Sequence, residues 1–247
     1  MDLKVNDPLL QIQNLTMAFK GLTAISDLDL DVRAGGVYGL IGPNGAGKTT
    51  LFNLISGFLT PQKGQICFNG QNLVGLRPYK ICRLGIARTF QIVKIFPELS
   101  VFRNTMIGSF NRHKDIKHSQ QISEQILDLV HLTHKKEQMA SALTIADRKR
   151  LELARVLATE PVLLLLDETM AGLNPTEGEE MLSMIKEING KGVTIFMIEH
   201  VMSIIMSVCQ HIVVLNYGEK IGEGKPADIS KDKRVIEAYL GEEFSIA

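Results

Sequence analysis

A chain of 247 residues is long for one average domain and short for two, so one large α/β domain with subdomains is expected. Basic and acidic residues balance at 27 each, for a formal net charge of zero, which gives no electrostatic reason to expect a nucleic-acid or anionic-lipid partner and makes any phosphate binding local. Cys67, Cys82 and Cys209 are odd in number, far apart and outside any CxxC or Cys/His spacing, which argues against disulfides and zinc and for packing roles.

The opening Met1-Asp2-Leu3-Lys4 lacks the continuous apolar stretch of a signal peptide, so no export is expected. No apolar run approaches the ~18 residues that span a bilayer. From Leu9 to Val32 short alternating patterns, such as Leu28, Leu30 and Val32 separated by acids, predict strands of a small antiparallel sheet. Val37 to Ile41 then reads as a buried strand, Gly42 to Gly47 as a loop, and Thr49 to Ser56 as a helix with Leu51, Phe52 and Ile55 inward and Gly57 at its stop. Gln65 to Phe68 is β-like. Pro97 to Ala158 reads as mainly helical, with polar Asn111 to Gln121 as an exposed loop and Ile122, Ile126, Leu129 and Val130 at helical spacing. Strands and helices alternate again at Val162 to Leu166, Gly178 to Ile188, Val193 to Ile198 and Ile212 to Leu215. A helical insert thus interrupts an α/β core.

Gly42-Pro43-Asn44-Gly45-Ala46-Gly47-Lys48-Thr49 matches GxxxxGK(S/T) between a predicted strand and a predicted helix. Glycines let successive N–H groups turn toward phosphate oxygens, the helix start adds a positive dipole end, Lys48 adds a full charge and Thr49 a hydroxyl for magnesium. Leu163-Leu164-Leu165-Leu166-Asp167-Glu168 is the second half of the pattern, a buried strand ending in two acids at its C-terminal edge. Asp167 is expected to hold magnesium through water, and Glu168 to orient or deprotonate the water that attacks the γ-phosphorus. Together these motifs describe a P-loop nucleotidase using Mg2+.

From about Leu10 to Gly241 the chain resembles the ABC ATPases. That resemblance implies ATP as the nucleotide and a P-loop (RecA-like) core with a small antiparallel β subdomain and an inserted helical subdomain. The implied division is 1–96 and 159–247 for the core and 97–158 for the insert. Thr89-Phe90-Gln91 resembles the family's Q-loop, so Gln91 is implied to contact magnesium and water. Met197-Ile198-Glu199-His200 resembles its switch histidine, which puts His200 at the γ-phosphate. Phe19, before Lys20-Gly21, matches the position whose ring stacks on adenine, a core phenylalanine being the alternative. Thr50 joins the phosphate loop in the implied nucleotide set, and Thr144 joins it from the signature region. Ala171-Gly172-Leu173-Asn174-Pro175-Thr176-Glu177, Ile198-Glu199-His200, Phe96-Pro97-Glu98-Leu99-Ser100-Val101 and the tail Val235-Ile236-Glu237-Ala238-Tyr239-Leu240-Gly241 are most similar to ATP-binding subunits of branched-chain amino-acid importers. The implied partners are a second ATPase subunit, favoured to be a different chain with a homodimer as the alternative, two membrane permease chains and, indirectly, a solute-binding protein. The implied place is the cytoplasmic face of the membrane, peripherally, with no nucleic acid.

The pattern breaks at the signature. Where the family has Leu-Ser-x-Gly-Gln or close to it, this chain has Leu143-Thr144-Ile145-Ala146-Asp147, and Asp147 brings a carboxylate to a helix start that faces an anion in the family. Thr144 and Asp147 have capping-box spacing, which predicts that Asp147 folds back onto the Thr144 N–H. Arg148 and Arg150 read as a solvated helix face. Asn174 stands where many relatives have aspartate, and Thr169 where proline commonly follows the acidic pair. A transport ATPase is the leading expectation. A regulatory, non-hydrolysing subunit and a non-transport ABC protein are the alternatives.

Overall fold

The computed structural model describes residues 7–240; the opening Met1 to Lys4 and Gly241 of the tail motif lie outside the described residues. These residues fall into two compact units, one built from the chain up to Pro78 together with Thr194 onward, the other from Tyr79–Val193.

The first unit opens with β1 (Leu10–Phe19), β2 (Leu22–Val32), β3 (Val37–Ile41), α1 (Lys48–Ile55), β4 (Lys63–Phe68) and β5 (Gln71–Asn72). Four of these strands form an antiparallel sheet in the order β2-β1-β4-β5. Period-two alternation fixes its faces: Leu28, Leu30 and Val32 are buried, while Asp27, Asp29 and Asp31, each one residue before them, are exposed.

The second unit holds α2 (Pro78–Leu84, its first residue at the boundary), β6 (Ile86–Arg88), α3 (Val101–Ser109), α4 (Ile116–Leu129), α5 (Ile145–Leu157), β7 (Leu163–Asp167) and α6 (Pro175–Gly190). β6 and β7 pair in parallel, Ile86 opposite Leu163 and Arg88 opposite Leu165. α3 packs closely on α5, because a Cβ on Gly108 would lie 2.2 Å from the Arg155 carbonyl oxygen. The expected exposed loop at Asn111 to Gln121 holds as far as Asp115 and is corrected from Ile116 onward, where the chain is helical. Asp115 caps α4, accepting hydrogen bonds from the N–H groups of Lys117 and His118 at 3.2 Å each, so the helix starts at Ile116. The polar pattern misled because the first turns of α4 face solvent: Ile116, Lys117, His118, Gln120 and Gln121 are exposed, and the one residue there that turns inward, Ser119, is polar by type.

The chain returns to the first unit with β8 (Thr194–Ile198), α7 (Met202–Val208), β9 (His211–Asn216), β10 (Glu219–Gly224), α8 (Pro226–Ile229) and α9 (Lys233–Leu240). β3 lies between β8 and β9 and is parallel to both, with β10 antiparallel on β9. Every residue of β3 and β8 is buried, as for strands covered on both faces, and Phe52 of α1 meets Phe196 of β8 with ring centroids 5.3 Å apart. Among the described residues no helix is long and apolar enough to cross a membrane, and Cys67, Cys82 and Cys209 are free thiols. Burial pushes the Cys209 thiol up to about 12, which suits packing rather than thiolate chemistry.

Candidate functional site

In the first unit, β3 delivers the chain into the glycine loop. Gly42 and Gly47 have φ of 148° and 104°, and a Cβ on them would lie 2.0 Å from the Leu215 carbonyl oxygen and 2.4 Å from that of Ala24. Both positions therefore need glycine for backbone conformation and for space. Pro43 and Ala46 are buried, Asn44 and Gly45 exposed, and the loop is pinned from behind by the Gly218 N–H on the Ala46 carbonyl at 3.0 Å. Lys48, 6% exposed, turns its ammonium into the loop, donating to the Gly42 carbonyl at 2.6 Å and the Pro43 carbonyl at 2.8 Å.

α1 starts at Gly47 with no side-chain cap and no acid in its first turn. α6 is the contrast: Asn174 and Glu177 form a reciprocal capping box with both bonds at 3.0 Å, so that start is satisfied by its own residues. Beside the start of α1 Thr49 is exposed and Thr50 half-buried, and a helix N-terminus of this kind favours an approaching anion. Phe19 is not a core residue. It is 41% exposed at the tip of the β1–β2 hairpin, paired with Leu22, on the hairpin whose Ala24 touches Gly47. β3 and β8 run parallel with Leu40 opposite Ile198, so the loop and exposed His200 leave the same ends of neighbouring strands.

In the second unit, the end of β7 carries the acids. Asp167, 2% exposed, takes a charged hydrogen bond from Arg88 on Oδ2 at 2.7 Å, and its N–H donates to the Thr89 hydroxyl at 3.1 Å. Its Oδ1 is buried and without a hydrogen-bond partner. Glu168 sits in the left-handed region at φ 49°, which costs an L residue about 1–2 kcal/mol, and such strain concentrates at functional positions. Gln91 donates from Nε2 to Glu168 Oε2 at 2.8 Å, so the structure brings these two expected residues together. Among the described residues no cluster of three or more His, Cys, Asp or Glu could cage a metal. One unsatisfied carboxylate oxygen at Asp167 fits magnesium, a cation that takes most of its ligands from phosphates and water.

At the start of α5, Thr144 is the N-cap, its hydroxyl accepting from the Asp147 N–H at 3.2 Å. The expected fold-back of Asp147 onto the Thr144 N–H is corrected. Its Oδ2 instead accepts from the Thr144 hydroxyl at 2.9 Å and from Lys135 at 2.5 Å, because an ammonium within reach outcompetes a backbone N–H. Burial opposes ionisation of Asp147, but the Lys135 and Thr144 bonds, with Arg150 nearby, hold its carboxyl below the usual range. Arg148 and Arg150 are likewise not a solvated face: Arg148 donates to the Ser141 carbonyl at 2.7 Å, and Arg150 pairs with Glu180.

A carboxyl with a depressed folded pKa stabilises above its unfolded pKa and loses that stabilisation as pH falls through the folded one. Asp147→Asn is therefore expected to lower stability by about 1 kcal/mol at neutral pH, discounted because Lys135 is partly exposed, with the difference from the parent chain shrinking in acid. Denaturant titrations of both chains at several pH values check this.

Arg88, Lys135 and Lys149 are the residues here that sequence reading missed. No local signal marks them, since each acts on a group distant along the chain or on a backbone carbonyl. A family profile described as ABC transporter matches residues 25–171, and one described as Branched-chain amino acid ATP-binding cassette transporter matches residues 219–245. The chain is 37% identical to the high-affinity branched-chain amino acid transport ATP-binding protein BraF of Pseudomonas aeruginosa, covering 95% of this chain and 98% of that one. It is 38% identical to the corresponding protein LivG of Escherichia coli, covering 96% and 100%. Among solved structures, a nucleotide-free ATP-binding cassette from an ABC transporter superposes with a TM-score of 0.86 at 29% identity, covering 95% of this chain and all of that one.

Proposed function

This chain belongs to the ABC transporter family as an ATP-hydrolysing subunit, and from that premise we propose that it powers an importer of branched-chain amino acids from the cytoplasmic face of a membrane. The observation that carries the hydrolytic part is Glu168, strained at the end of β7 and held by Gln91. The solute rests on likeness to BraF and LivG across nearly the whole chain.

In this reading Gly42, Pro43, Asn44, Gly45, Ala46, Gly47, Lys48, Thr49 and Thr50 bind the phosphates, and Phe19 stacks on adenine. Thr49, Gln91 and, through water, Asp167 would hold magnesium, which would supply positive charge against the nucleotide's phosphates. Glu168 takes a proton from the attacking water, Gln91 orients the Glu168 carboxylate, and His200 donates to the γ-phosphate. The functional domain is the whole chain, with 97–158 as its helical part. Thr144 reaches the nucleotide of a second ATPase subunit, which we take to be a different chain. Lys135, with Arg150 nearby, meets the Asp147 charge within the chain, so the acid stays compensated when the Thr144 hydroxyl turns from Asp147 to the nucleotide. Ile92 and Ile145, 80% and 64% exposed, line an apolar groove with Val93 and Ile95, which supports docking of an apolar segment of a permease chain.

The test is reconstitution of the chain with its membrane and ATPase partners in vesicles, measuring Mg-ATP turnover and uptake of leucine, isoleucine and valine supplied with the solute-binding protein. ATP-dependent uptake is expected. Turnover that is indifferent to the membrane chains would sink the importer reading. Coupled turnover with no branched-chain uptake would sink only the solute.

A further inference from the structure

Behind the carboxylate turn stands a buried ammonium. Lys149 lies in the first turns of α5 and is 6% exposed, and its Nζ donates to the Thr169 carbonyl at 2.9 Å and to the Glu168 carbonyl at 3.3 Å. A lysine that serves only to cover apolar surface keeps its head in water. Taking that head out of water is unfavourable unless hydrogen bonds replace the lost hydration, and these consecutive carbonyls supply two.

The location of those carbonyls gives the contact its meaning. Upstream, Arg88 and the Thr89 hydroxyl fix Asp167 at the strand end. Immediately downstream, Glu168 departs into a left-handed conformation that its side chain disfavours. The peptide planes leaving Glu168 and Thr169 are the ones Lys149 grips, so the ammonium fixes the torsions that decide where the Glu168 side chain points. Gln91 then sets the last degrees of the carboxylate through its 2.8 Å bond.

We propose that Lys149 is a positioning residue for ATP hydrolysis: it holds the left-handed turn after β7 so that the Glu168 carboxylate meets the attacking water. This rests on the reading of Glu168 as the proton acceptor. It also ties the divergent helix start to the chemistry, because Lys149 follows Asp147 by two residues on α5.

The experiment compares Lys149→Met, Lys149→Arg and Glu168→Gln in the reconstituted transporter, reading kcat, Mg-ATP affinity by fluorescent-nucleotide titration, and thermal melting. Misplacement of a reacting group by about 1 Å is enough for roughly a 100-fold loss. Lys149→Met is accordingly expected to lower kcat by about 10- to 100-fold with affinity changed by less than about twofold. Lys149→Arg, whose guanidinium reaches both carbonyls, is expected to recover kcat to within about threefold. Should Lys149→Met not fold, Lys149→Gln, which reaches a single carbonyl, carries the same test with an expected loss of about 3- to 10-fold. A kcat within about twofold of the parent, or kcat and affinity falling together, overturns the proposal. With Glu168→Gln inactive, a neutral Lys149 variant overturns the positioning role alone. Turnover retained in Glu168→Gln overturns the reading of Glu168 and this proposal with it.

Discussion

Glu168→Gln is expected to leave Mg-ATP bound and to reduce its turnover by at least about 100-fold, the scale of a general base removed from a proton transfer. The substitution is a clean one for reasons local to the turn. A glutamine at this position retains the length of the side chain, its amide oxygen can take the place of the Oε2 that now accepts from Gln91 at 2.8 Å, and the φ of 49° is no worse for glutamine than for glutamate. Only the capacity to take a proton is lost. Steady-state hydrolysis beside equilibrium nucleotide binding separates the two effects, since a loss in kcat with unchanged affinity marks an interaction made in the transition state. Turnover within about threefold of the parent would remove Glu168 from the chemistry, leaving its strained backbone without a functional account.

The segments of this site that are local along the chain are legible in the sequence itself. The glycine loop sits between a strand and a helix, and both were marked by their apolar patterns, as was the leucine run that ends in Asp167 and Glu168. The groups that hold those acids were not legible. Arg88 meets Asp167 across 79 positions and Lys149 meets a backbone carbonyl, and neither leaves a spacing to read. At Thr144 and Asp147 the spacing rightly announced a cap, yet it could not reveal the Asp147 carboxylate's partner, because Lys135 comes from a 3₁₀ turn outside the helix. The start of α4 was hidden for a different reason: its first turns are exposed and polar, and the one residue there that turns inward, Ser119, carries no apolar signal.

Lys48→Ala is expected to weaken Mg-ATP binding by about 10- to 100-fold and to abolish turnover with it, as suits the loss of a charged hydrogen-bond donor worth about 1.5–3 kcal/mol. The ammonium is nearly sequestered and is braced against the Gly42 and Pro43 carbonyls, so its position is set by the loop backbone rather than by solvent. A preset charge of this kind loses little side-chain entropy when a phosphate arrives. The first-turn N–H groups of α1 survive the substitution, and for that reason some binding should persist where turnover does not. Thermal melting makes the distinction directly. A ligand that binds only the folded chain stabilises it by RT ln(1 + [L]/Kd), so Mg-ATP at about 100 times the parent Kd raises stability by about 2.7 kcal/mol in the parent chain and, with binding about 100-fold weaker, by only about 0.4 kcal/mol in Lys48→Ala. Equal ligand-induced shifts in both chains would mean that the loop and helix dipole alone bind the phosphates and that Lys48 acts on the loop's own carbonyls.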